Sequence, residues 1–138
     1  MKDASFDYIY EIVTSHEDDF EWWENIGYFK LSTYLNNLNV KAIKNLISDS
    51  KSWHSDFIFI LAEGLIQSNI ENALEEYVKL FIEMKNLDHA SYMGSILENT
   101  KEDDIPKKLY LRLKKKMVVV TKYERGQNEN GKIIKLKE

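Results

Sequence analysis

Residues 52–67, Ser52-Trp53-His54-Ser55-Asp56-Phe57-Ile58-Phe59-Ile60-Leu61-Ala62-Glu63-Gly64-Leu65-Ile66-Gln67, decide the fold. The run Phe57 to Leu61 is apolar on every side, so a buried strand and a central helix compete for it. The length to Gln67 and the lack of turn residues favour a helix, starting at Trp53 and capped by Ser52. Gly64 costs roughly 1 kcal/mol in a helix interior. Close approach of a neighbouring helix would account for it.

Working outward, Ile43, Leu46 and Ile47 form an apolar stripe after Asn39, a predicted N-cap. Ala73, Leu74, Tyr77, Val78, Phe81 and Met84 form a second, preceded by Ser68 and Glu71 at capping-box spacing. A short helix is expected from Asp88, as its cap, to about Leu97, then a polar joint from Asn99 to Asp104. Asp104 and Pro106 open a further helix to about residue 116. Val118-Val119-Val120-Thr121 is β-branched, Arg125–Gly131 has turn composition, and Lys132–Leu136 can return as a strand. A C-terminal β-hairpin is therefore expected. Laying residues 40–62 on 75–97 pairs Ile43 with Val78, Leu46 with Phe81, His54 with His89 and Leu61 with Ile96, a period of 35 residues. One helix–turn–helix unit of an α-solenoid has that length. The sequence thus predicts a mainly α protein of antiparallel helix pairs.

At 138 residues, one domain over 1–138 is expected, with a single core. Its charge is unevenly divided. Residues 1–104 hold 20 acids against 8 bases, and residues 105–138 hold 3 against 11, so −12 and +8 give the net −4. An acidic helical body is joined to a basic C-terminal helix and tail, which speaks to partners more than to fold. There is no cysteine, which excludes a disulfide scaffold and thiol catalysis and leans toward a cytoplasmic setting. No signal peptide is expected behind Met1-Lys2-Asp3-Ala4. The longest apolar run, Phe57 to Ala62, is too short to span a bilayer.

The densest acid lies among aromatics, Glu17-Asp18-Asp19-Phe20-Glu21-Trp22-Trp23-Glu24. On a helix, Phe20, Trp23 and Gly27 share a face, with Glu17, Asp18, Glu21 and Glu24 toward water. One reading is a solvated helix start whose acids favour the macrodipole. The other is an interface, with an exposed Trp22 ringed by carboxylates that steer a cationic partner. Trp53-His54-Ser55-Asp56 is the best catalytic or metal candidate. His54 and Asp56 diverge by about 200° on a helix, however, and cannot clamp one ion. A helix-end histidine is the simpler role. Neither a zinc spacing nor a phosphate-cradling glycine loop occurs, so no metal, cofactor or enzymatic activity is expected. Lys107, Lys108, Arg112, Lys114, Lys115 and Lys116 suggest nucleic acid. The acidic body opposes that, and the same bases favour a helix C-terminus or can fold against the body.

Trp53-His54, Asp56, Ile58 and Leu61, followed by Ile70-Glu71-Asn72-Ala73-Leu74 and Tyr77, resemble the immunity protein 30 family over about residues 53–82. These are small HEAT-like α proteins encoded beside polymorphic and contact-dependent growth-inhibition toxins. This chain lacks the residues between Trp-His and the acid in that pattern, and the second His. The resemblance implies a cytoplasmic antitoxin that blocks a cognate toxin domain by stoichiometric occlusion. Such toxins are often nucleases with basic clefts. The expected contacts are Glu17, Asp18, Asp19, Glu21, Trp22 and Glu24, with Asp49 and Asp56 as a second acidic patch. A helical adaptor, or an RNA-binding accessory protein acting through the tail, are the alternatives.

Overall fold

A computed structural model of the chain describes residues 4–16 and 19–132. Every regular element among the described residues is helical: α1 (Ala4–Ser15), α2 (Phe20–Trp22), a π-helical turn (Trp23–Gly27), α3 (Tyr28–Leu35), α4 (Val40–Asp49), a 3-10 turn (Ser50–Ser52), α5 (Ser55–Ile66), α6 (Ala73–Glu83), α7 (Leu87–Leu97) and α8 (Lys107–Lys132). The chain forms two compact units, Met1–Leu80 and Phe81–Glu138, with the boundary inside α6.

Capping sets where these helices begin. Asn39 caps α4 as expected, accepting from Ala42 N at 2.8 Å. The start of α5 differs from expectation. Ser50–Ser52 closes a 3-10 turn, Trp53 is extended, and His54 becomes the N-cap, its Nδ1 accepting from Asp56 N at 3.1 Å. Ser52 is thus spent finishing α4. The capping box at Ser68 and Glu71 is also not formed. Ser68 Oγ donates to Leu65 O at the end of α5, and α6 starts only at Ala73. Asn86, not Asp88, caps α7 through His89 N at 3.1 Å.

In the first unit α1 packs on α3 and α5, and α3 on α5. Ile9 and Val13, Leu31 and Leu35, and Leu61 and Leu65 supply fully buried side chains from these three helices. A Cβ on Gly64 would lie 2.5 Å from Leu31 Cδ2, so the glycine marks the close α3–α5 approach that its position predicted. Ile43, Leu46 and Ile47 of α4 are buried, as are Ala73, Tyr77 and Val78 of α6. Glu76, only 1 % exposed, accepts from Lys79 Nζ at 3.0 Å and Lys44 Nζ at 3.2 Å. Those pairings hold the Lys44 ammonium above its ordinary pKa, the bond to Glu76 being the largest cause.

In the second unit α7 packs on α8. Leu109, Leu113 and Val120 form the buried stripe of α8, and Ala90, Met93, Gly94 and Leu97 that of α7. The expected hairpin is corrected here. Residues 118–121 and 125–131 are helical, because Val120, at 2 % exposure, continues the buried stripe and burial overrides β-propensity. The remainder of the expected return strand, 133–136, lies outside the described residues. Lys116 Nζ reaches Met84 O at 2.7 Å, and burial lowers its pKa. No helix is long and apolar enough to cross a membrane among the described residues.

Candidate functional site

The acidic and aromatic segment is built on α2, the π-turn and α3. Trp23, Gly27, Leu31 and Leu35, four residues apart, all face inward. In a regular α-helix a four-residue step drifts by about 40°, since 3.6 residues complete a turn. The wider i→i+5 turn at Trp23–Gly27 holds more residues per turn and absorbs that drift. Trp23 is 3 % exposed, and its Nε1 donates to His16 O at 2.8 Å. Trp22 stacks on the His16 imidazole, ring centroids 3.7 Å apart, and meets Trp23 edge-on at 5.0 Å. Gly27 sits under both indoles, and a Cβ there would lie 2.6 Å from Trp22 Cζ3.

This arrangement changes which groups are offered to a partner. Trp22, expected exposed, is half-buried because its face is taken by His16. Phe20 does not share the buried face of Trp23 and is 75 % exposed. Phe29 is also 75 % exposed, and Ile26 is 51 % exposed. A groove of about 400 Å³ runs beside them, lined by Tyr8, Ile12, Ile26, Phe29 and Tyr34, with Lys30, Thr33 and Asn37 as its polar groups. Neither Ile26 nor Phe29 belonged to the acidic run, so charge density gave no sign of them. Their signal was apolar residues set off from the four-residue inward stripe.

The acids divide by role. Glu17 and Asp18 lie outside the described residues. Asp19 caps α2, accepting from Trp22 N at 3.1 Å, and its other oxygen lies 3.7 Å from His16 Nδ1. Glu21 and Glu24 are exposed and make no ion pair among the described residues. Asp49 is half-buried at the end of α4, and Asp56 is exposed in the first turn of α5, 3.7 Å from His54 Nδ1. The second patch therefore sits at the α4–α5 corner, beside the contact of Tyr10 with Trp53 at 4.9 Å. His54 serves as a cap, the simpler of its two expected roles. Among the described residues no three His, Cys, Asp or Glu side chains converge as a metal site would require.

No protein-family model, curated protein or solved structure matches the chain.

Proposed function

We propose that the chain is a binding protein that acts without turnover, occluding a cationic protein partner as an antitoxin immunity protein does. The observation that carries this reading is the exposure of Phe20, Ile26 and Phe29 in the same stretch of chain as Glu21 and Glu24, two carboxylates with no cation of their own among the described residues. Large apolar groups left in water are an unspent source of binding energy, of the order of 2 kcal/mol for a well-buried aromatic. Acids around them raise the encounter rate with a basic surface and reject acidic ones. A basic nuclease-type toxin domain has the matching chemistry, and the resemblance over residues 53–82 points to the same class. Along the sequence, the segments α4–α5 and α6–α7 are read as two HEAT-like repeats. Ile43 and Leu46 match Val78 and Phe81 in burial at an offset of 35 residues. After the corner, the caps His54 and Asn86, and the buried pairs Leu61 with Met93 and Leu65 with Leu97, match at 32. The second corner is three residues shorter, which is why the single 35-residue register pairs buried Leu61 with exposed Ile96.

The test is co-expression with a basic nuclease-type toxin domain, sought first in the neighbouring gene. The chain should protect cells and co-purify with the domain, and the Phe20→Ala/Phe29→Ala double variant should lose both properties. Protection unchanged by that variant, or no binding at all, contradicts the proposal.

A further inference from the structure

The outward face of α8 follows a pattern that the acidic surface does not explain. Lys108, Lys115 and Lys122 recur every seven residues, and Leu111, Val118 and Arg125 do so three positions later. All six are exposed, with Leu111 at 53 % and Val118 at 56 %. Such a 3-4 spacing keeps one face of a helix, drifting only about 20° per heptad. It therefore places Leu111 and Val118 between the three lysines along one line that ends at Arg125, like positions repeating about every 10.5 Å. Among the described residues none of these four cations forms an ion pair, whereas neighbouring Arg112 reaches Glu83 at 3.6 Å. The line is also rigidly backed. On the inner side Leu109, Leu113 and Val120 are buried, Tyr123 donates to Asp88, and Ser91 donates to Glu124.

We propose that this face docks an acidic amphipathic helix of a protein partner, in coiled-coil-like register. Leu111 and Val118 would pack between that helix's apolar residues, and the three lysines would meet its carboxylates one heptad apart. Charge selects this occupant. A second α8 would bring lysine against lysine. The chain's own acidic helix is too short a match, since Glu21 and Glu24 span one turn and Lys30 follows them. Phosphates of a nucleic acid would pair with the lysines but would leave Leu111 and Val118 with no apolar surface to bury, which an amphipathic helix supplies. A membrane-lying helix uses a broad apolar sector with aromatic anchors, and this line holds a leucine and a valine between cations.

The experiment measures binding of the full-length chain, by fluorescence anisotropy, to a labelled three-heptad helical peptide with leucine at its core positions and glutamate at its flanking ones. The peptide should bind, and its Glu-to-Lys counterpart should not. Lys108→Glu/Lys115→Glu/Lys122→Glu should weaken binding at least about tenfold, and Leu111→Ser/Val118→Ser by about the same factor. Phe20→Ala/Phe29→Ala should leave it unchanged, which separates this proposal from the one above. The idea is overturned if the serine variant binds as tightly as the parent, since pure charge attraction would then suffice. It is equally overturned if only a single-stranded RNA or phosphatidylserine vesicles bind, or if the chain self-associates through this face and the peptide does not compete.

Discussion

Residues 20–31 and residues 107–125 are both helical, carry opposite charge and expose apolar side chains, yet their faces are made in opposite ways. In the first, exposure follows from an irregularity. A wide turn keeps Trp23, Gly27 and Leu31 facing inward, and Phe20, Ile26 and Phe29 are left outside as a consequence. In the second, a regular helix holds two independent stripes, a buried one through Leu109, Leu113 and Val120 and an exposed one through Leu111 and Val118. The first face depends on tight local packing and should fail when that packing is disturbed. The second depends on helix periodicity and should tolerate the same kind of change.

Glycine substitutions sharpen this contrast most strongly. Gly27→Ala places a methyl against two indoles that His16 holds in position, one by stacking and one through a hydrogen bond. The expected loss is about 3 kcal/mol, the upper end for overpacking. Gly64→Ala meets one buried leucine, Leu31, and should cost about 2 kcal/mol. Gly94→Ala, facing α8, meets Met117 Sδ and Phe81 Cε1 at 3.4 Å. The flexible thioether can yield, and alanine favours the helix by up to about 1 kcal/mol, so stability should be unchanged or slightly raised. Urea denaturation of the three variants measures all of this. The reverse order would break the distinction between a pinned turn and a tolerant helix.

Alkaline titration gives a smaller effect. The bond from Tyr123 to Asp88 raises the phenol pKa above 10.0, and Glu76 raises that of Lys44 above 10.5. Both groups are stabilised in their protonated forms. Their contributions are complete below those values and are lost as pH rises through the folded-state pKa. Lys116, lowered by burial, acts in the opposite direction and gains stability as pH rises toward 10.5. Thermal melts should fall above pH 10, less steeply in Tyr123→Phe and in Lys44→Met. Identical slopes in parent and variants would contradict these pairings.

The stripes of α4 and α6, the Asn39 cap and the reason for Gly64 were legible because each needs only local periodicity or one close contact. The caps at His54 and Asn86 were not, since Ser52 is a stronger cap than histidine by residue type and Asp88 is as good as Asn86. Ser52 is consumed by a turn, and Asp88 lies two positions after the cap, inside the first turn of α7, where it bonds Tyr123 instead. The length of α8 was hidden by three successive valines, whose β-preference is outweighed by the burial of Val120 alone. At the candidate site the acids were visible, while the roles of the aromatics were exchanged. An α-helical projection cannot anticipate a π-turn, so it left Trp22 outside and hid Phe29.

The central claim is that Phe20, Phe29 and their neighbouring acids form a docking face for a cationic protein. Calorimetric titration with a basic nuclease-type toxin domain, taken from the neighbouring gene if that gene encodes one, tests it most directly, at low and at high salt. The account predicts one-to-one binding that weakens as salt rises, and a loss of about 2 kcal/mol or more in Phe20→Ala/Phe29→Ala. Tight binding that ignores both salt and the double variant would contradict it.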